Sequence, residues 1–165
     1  MFWGSPLGLR GFYYLALMLH LAIVNGPNLN LLGIREPHIY GHEDFATALN
    51  KISERFPFAD IQYYQSNVEG ELINYLHSCM GKVKGIILNA GAYTHTSIAL
   101  ADAVSAIGIP VIEVHISNVL AREQYRKTSY ISEKCVGSIS GLGMDGYALA
   151  VQYFMDNLLN PSEPA

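Results

Sequence analysis

The run Gly85-Ile-Ile-Leu-Asn89 constrains the fold more than any other stretch of the chain. It is short and apolar at consecutive positions, so a strand built from it must be covered on both faces. Such a strand belongs in a parallel sheet with helices packed above and below. Further strands are expected at His20–Asn25, Ile61–Gln65, Val111–His115 and Val136–Ser140. Between them, helical spacing joins Phe45, Ala48, Leu49, Ile52 and Phe56, after a capping Asp44 and before Pro57. That spacing returns in Val68–Met80, ended by Gly81, and in the alanine-rich Ser97–Ala106, closed by Gly108-Ile109-Pro110; a last helix is expected from Asp145 to Leu159. Strands and helices alternate, and such crossovers are right-handed. The expected fold is α/β, a doubly wound five-stranded parallel sheet with flavodoxin-like order 2-1-3-4-5.

The chain of 165 residues, 50% hydrophobic and 15% charged, is long enough for one sizeable core and too short for two ordinary domains. We read one domain over 19–160 and a short tail at 161–165, with no repeat or linker. Ten basic against fourteen acidic side chains give a formal charge of −4 with no cluster of either sign. That balance argues against a nucleic-acid or anionic-membrane footprint. Cys79 and Cys135 form neither a CxxC pair nor a disulfide framework, which fits a reducing cytoplasm. The apolar run at 12–24 is about 13 residues, shorter than the roughly 20 that a membrane span needs. Arg10 precedes it, but no small-x-small cleavage site follows, and cleavage at the NGPN turn would remove the first strand. Residues 1–18 are therefore read as a disordered or non-native extension translated from a start upstream of Met18, in preference to a packed extension or a targeting leader.

In a doubly wound sheet, ligands bind outside the carboxyl ends of the strands at the switch point. The loops there are GPNLN after the first strand, NAGAYTHTS after the third and HISNVLAREQYR after the fourth. Glu113 and His115, two apart on a strand, share one face, and a carboxylate beside an imidazole fixes its tautomer and raises its basicity. An ordinary buried Glu–His pair would show the same spacing. Arg122 and Arg126 share a face if their segment is helical, and guanidinium forks suit carboxylate or hydroxyl-rich ligands; a solvated helix face is the plainer alternative. Backbone amides at Ile116 and Ser117, just past a strand end, could hold an anion. In the long first loop, Tyr40 could act as a base only if a cation such as Arg35 stabilised its phenolate. His95, Asp102, Glu113 and His115 have no compact ligand spacing, so no metal is expected. Gly141-Leu-Gly143-Met-Asp-Gly146 matches a dinucleotide fingerprint, but no further strand or ribose-binding acid follows it, and close strand-to-helix packing is the better reading.

Four blocks in order, NGPNLNLLGIREPHIYG, LNAGAYTHTSIALADA, IEVHISNVLAREQYR, and SYIS followed by GLGMDGY, resemble the type II 3-dehydroquinate dehydratases over about Leu19–Asn160. The resemblance implies an anti elimination of water from 3-dehydroquinate through an enolate to 3-dehydroshikimate, in the shikimate pathway or in quinate breakdown. It implies that Tyr40, favoured as phenolate by Arg35, takes the C2 proton, that Asn28 holds a water on the enolate oxygen, and that His115, held by Glu113, protonates the departing hydroxyl. It further implies that Asn89 and the Ile116 and Ser117 amides bind the substrate carboxylate and that His95 and Arg126 grip ring hydroxyls. Arg122 and Asp102 would stand at the loop and subunit boundary, Asp102 reaching a neighbouring site. The same resemblance implies no cofactor and a homo-oligomer, a dodecamer built from trimers. The loop carrying Arg35 and Tyr40 would close over substrate as a lid. A flavin- or phosphate-binding electron-transfer or signalling module on the same sheet is the competing reading. It would need a Ser/Thr/Gly-rich loop or aspartates where this chain has Gly26-Pro27-Asn28.

Overall fold

The computed structural model of the chain describes residues 18–34 and 43–159. The extension ahead of Met18, the expected base Tyr40 with Arg35, and the tail lie outside the described residues. Strands β1 (Leu19–Asn25), β2 (Ala59–Gln65), β3 (Gly85–Asn89), β4 (Val111–His115) and β5 (Gly137–Ser140) form one parallel sheet in the order β2-β1-β3-β4-β5. The expected topology is therefore the observed one. Asn25 pairs with both Gln65 and Asn89, so the first three strands finish level and their following loops meet.

Helices α1 (Phe45–Arg55), α2 (Glu69–Ser78), α3 (Ile98–Ala106) and α4 (Asp145–Phe154) cover the sheet. The two-residue period of β1 sorts its side chains between two cores. Leu21 and Ile23 pack with Phe45, Ile52, Tyr147 and Phe154 from α1 and α4, while Ala22 and Val24 pack with Leu72, Leu76, Leu100 and Val104 from α2 and α3. All five residues of β3 are buried, as a doubly covered strand requires. Each fully buried leucine such as Leu72 or Leu76 contributes about 2 kcal/mol through removal from water. The Asp44 carboxylate accepts the Thr47 N–H at 2.7 Å and the Ser97 hydroxyl oxygen accepts that of Leu100 at 2.9 Å, capping α1 and α3. The Thr47 contact also holds the Asp44 carboxyl below its ordinary range.

Several boundaries differ from expectation; β1 begins one residue earlier, at Leu19, and α2 is shorter than the expected 68–80 at both ends. β2 begins two residues earlier, at Ala59, whose N–H is turned onto the Phe56 carbonyl. Val136 stays outside β5 with its side chain exposed. The last helix is α-helical only to Phe154 and then widens into a π turn over Met155–Leu159. The GxGxxG run serves packing, as expected. A Cβ on Gly146 would meet the Val114 and Ile139 methyls at 3.3 and 3.4 Å, so its hydrogen lets α4 lie close on β4 and β5.

Candidate active site

The carboxyl ends of β1, β3 and β4 open onto one pocket lined by Pro27, Asn28, Leu31, Asn89, His95, His115, Ile116, Ser117, Arg122 and Arg126 among others. Of the site residues expected from the sequence and lying in the described range, only Glu113 and Asp102 do not line it. Glu113 stands behind His115, and Asp102 lies on the exposed side of α3. Close backbone contact brings the first two loops together. The Gly26 N–H donates to the Asn89 carbonyl at 2.7 Å, and a Cβ on Gly26 would sit 2.4 Å from the Ala90 carbonyl oxygen, closer than atoms can come. Asn28 takes a left-handed backbone (φ 68°), and its N–H donates to the Asn67 side-chain oxygen at 2.9 Å. Asn67 also takes a hydrogen bond from the Tyr93 hydroxyl on its carbonyl and one from the Gln65 side chain. One asparagine after β2 therefore ties the loops of β1 and β3, a role sequence reasoning missed.

The Glu113–His115 pair is present as the alternation of β4 predicted. His115 Nε2 lies 3.1 Å from Glu113 Oε1, and both side chains are almost wholly out of water. A carboxylate only accepts, so Nε2 carries the proton and Nδ1 is the ring nitrogen that Glu113 leaves unengaged. Around the carboxylate, Ser129 donates at 2.9 Å to Oε1, and Ser132 and Ser138 donate at 2.6 and 3.3 Å to Oε2; the Thr94 hydroxyl completes the cage. Burial pushes the Glu113 carboxyl up, but the His115 contact and these hydroxyls outweigh it and hold the group down at about 2. The segment that carries Ser129 and Ser132 also fixes the second imidazole. His95 Nδ1 lies 2.7 Å from the Thr128 carbonyl, to which it must donate, so Nε2 is its remaining nitrogen. The two rings stand nearly parallel, 6.4 Å apart.

Arg122 and Arg126 do not share a helix. Two separate single turns, Val119–Ala121 and Gln124–Arg126, are split by extended backbone at Arg122 and Glu123. That break lets the Glu123 carboxylate lie between the guanidiniums, 2.9 Å from Arg126 Nε and 3.5 Å from Arg122 Nε. Arg122 also reaches the Ser117 hydroxyl at 3.4 Å, and Arg126 lies over the Tyr125 ring. The two cations of this wall thus share the Glu123 carboxylate. At the inner end, the Asn89 amide nitrogen donates to the Tyr147 hydroxyl at 2.8 Å, which donates to the Asn25 side-chain oxygen at 2.9 Å.

A hydrogen-bonded acid–base imidazole, a second imidazole, a buried carboxamide and a cationic wall thus converge on one pocket. They suit a hydroxylated carboxylate that gains or loses a proton. Among the described residues, no group of three or more His, Cys, Asp or Glu side chains is placed to hold a metal ion, and no helix is long and apolar enough to cross a membrane.

The family model described as dehydroquinase class II matches residues 19–155. The catabolic 3-dehydroquinase 1 of Fusarium vanettenii is 48% identical over 138 residues, 82% of this chain and 96% of the relative. The 3-dehydroquinate dehydratase of Prochlorococcus marinus is 46% identical over 147 residues, 88% of this chain and 99% of the relative. The crystal structure of the type II dehydroquinase from Butyrivibrio crossotus superposes with a TM-score of 0.80 at 41% identity, covering 87% of this chain and 98% of that one.

Proposed function

The chain belongs to the class II dehydroquinase family, and on that premise we propose how its residues divide the work of the reaction. It is a hydro-lyase that removes water from 3-dehydroquinate to give 3-dehydroshikimate. The flavin- or phosphate-binding alternative finds no support in the family match.

The observation that carries the assignment of roles is the Glu113–His115 pair on the wall of the pocket that also holds Asn89 and Arg126. A proton beside a ketone is weakly acidic, so the barrier falls when a positioned base removes it and a preorganised donor meets the enolate oxygen. Tyr40, as a phenolate favoured by Arg35, takes the C2 proton. A water held by Asn28 stabilises the enolate. His115 gives its proton to the leaving hydroxyl at C1, and Glu113 keeps the ring in the orientation and charge that this transfer needs. The carboxylate lies against Asn89 and the amides of Ile116 and Ser117, while His95 and Arg126 hold the ring hydroxyls. Arg122 closes the same wall. Asp102, exposed on α3, serves a neighbouring subunit's pocket in a dodecamer built from trimers. The reaction proceeds in the cytoplasm without metal or organic cofactor, in aromatic biosynthesis or quinate catabolism.

The test is formation of the conjugated enone product, followed by its near-ultraviolet absorbance when purified protein meets 3-dehydroquinate. Turnover is expected in the parent protein, and Tyr40→Phe removes nearly all of it while leaving product binding largely intact. Undiminished turnover in Tyr40→Phe would show that another group is the base.

A further inference from the structure

The GLGMDGY block contributes one side chain, Tyr147, that stands behind the pocket-lining Asn89, and its role follows from counting protons. Tyr147 is fully buried, its ring edge-on to Phe45 at 5.1 Å. Its hydroxyl lies between two carboxamides, Asn25 at 2.9 Å and Asn89 at 2.8 Å. The Gly91 N–H, which can only donate, lies 3.2 Å from one Asn89 side-chain atom and so identifies it as the oxygen. The other atom is the nitrogen, which spends one hydrogen on the Tyr147 oxygen and has its second left for the pocket that Asn89 lines. The single Tyr147 proton goes to the Asn25 oxygen, so the phenol accepts from Asn89, and among the described residues the buried Asn25 amide nitrogen at the end of the chain has no hydrogen-bond partner. Burial raises the Tyr147 phenol far above its ordinary range, which keeps it a neutral donor.

We propose that Tyr147, backed by Asn25, is a positioning residue that turns the Asn89 carboxamide so that an N–H, and not its carbonyl, faces the substrate, making this end of the pocket selective for a carboxylate. The proposal rests on the reading of Asn89 as a carboxylate-binding residue. With its carbonyl turned inward, Asn89 would repel an anion and accept from a neutral amide instead. Hydrogen bonds to charged groups are the strong ones, and losing the orientation of one weakens binding about tenfold or more.

The experiment compares calorimetric dissociation constants of 3-dehydroshikimate and its primary amide on the full chain. In Tyr147→Phe, which keeps the buried ring, the carboxylate is expected to bind about tenfold more weakly and the amide about as before, so the preference shrinks about tenfold. KM for 3-dehydroquinate rises with it while kcat falls much less. Asn25→Ala, which removes the other end of the chain, is expected to shift the preference in the same direction by several-fold, and it carries the test should Tyr147→Phe not fold. Equal weakening of both ligands, or no change in either variant, would overturn the proposal. Asn89→Ala separates the two levels. If it abolishes the carboxylate preference while Tyr147→Phe retains it, the positioning role is wrong and the Asn89 reading stands; if Asn89→Ala itself retains the preference, both fall.

Discussion

The two polar walls of the pocket are built in opposite ways. On the β4 wall, Glu113 and His115 are buried on a strand, and four hydroxyls surround the Glu113 carboxylate. On the other wall, Arg122 and Arg126 stand on two short turns and share one half-exposed carboxylate, Glu123. The buried pair has no freedom to adjust, and its contacts are strong because water is excluded. On the arginine wall the shared Glu123 carboxylate is half open to solvent, which screens both ion pairs, so each contributes little by itself. Proton transfer needs a fixed distance, whereas recognition of a polar ring tolerates small movements. Under the roles proposed for these residues, rigidity lies where the proton would move and pliability where the ring would be recognised.

Variants that break one wall at a time should separate these contributions. The largest effect is expected from His115→Asn, which removes the acid from the buried wall; kcat should fall by 10²–10⁴ with KM changed by only a few-fold in steady-state assays. On the pliable wall, Arg126→Met should act mainly on binding, with KM rising about tenfold and kcat falling less. A kcat loss for Arg126→Met as large as that for His115→Asn would erase the distinction between the walls. The smallest effect concerns stability. The folded Glu113 carboxyl lies at about 2 against an ordinary value of 4.5, so the fold favours its charged form. The stabilisation is complete above about pH 4.5 and is lost as pH falls toward 2. Urea midpoints of the parent protein should therefore decline over that window. The decline should be shallower when Glu113 is replaced by Gln, whereas Arg126→Met should track the parent.

The same contrast explains what could be read in advance. The apolar β3 run, the two-residue spacing of Glu113 and His115 and the glycine-rich turns are local patterns, and local patterns survive in a linear sequence. The hydroxyl cage could not be found that way. Thr94, Ser129, Ser132 and Ser138 come from three separate segments, and serine and threonine are too common for their positions to signal anything until the chain folds. Tyr147 escaped notice for a related reason, since it reads as a core aromatic on α4, which it also is. The arginines do not share a helix face because Arg122 and Glu123 are extended, which places the Glu123 carboxylate between the two guanidiniums. Asn67 lies after β2, on a strand end whose sequence carries no ligand-binding pattern of its own.

The buried pair is central to the proposed chemistry, and kcat of Glu113→Gln tests it most directly. Glutamine keeps the shape, its oxygen accepting from one set of donors while the hydroxyls on the other side turn to accept from its NH2, but it has no charge to offer the His115 ring. The product-absorbance assay should show kcat reduced about a hundredfold at neutral pH, with KM within a few-fold and the circular dichroism spectrum unchanged. A folded Glu113→Gln that turns over 3-dehydroquinate at the parent rate would contradict it, because the charge behind the imidazole would then be incidental to the chemistry.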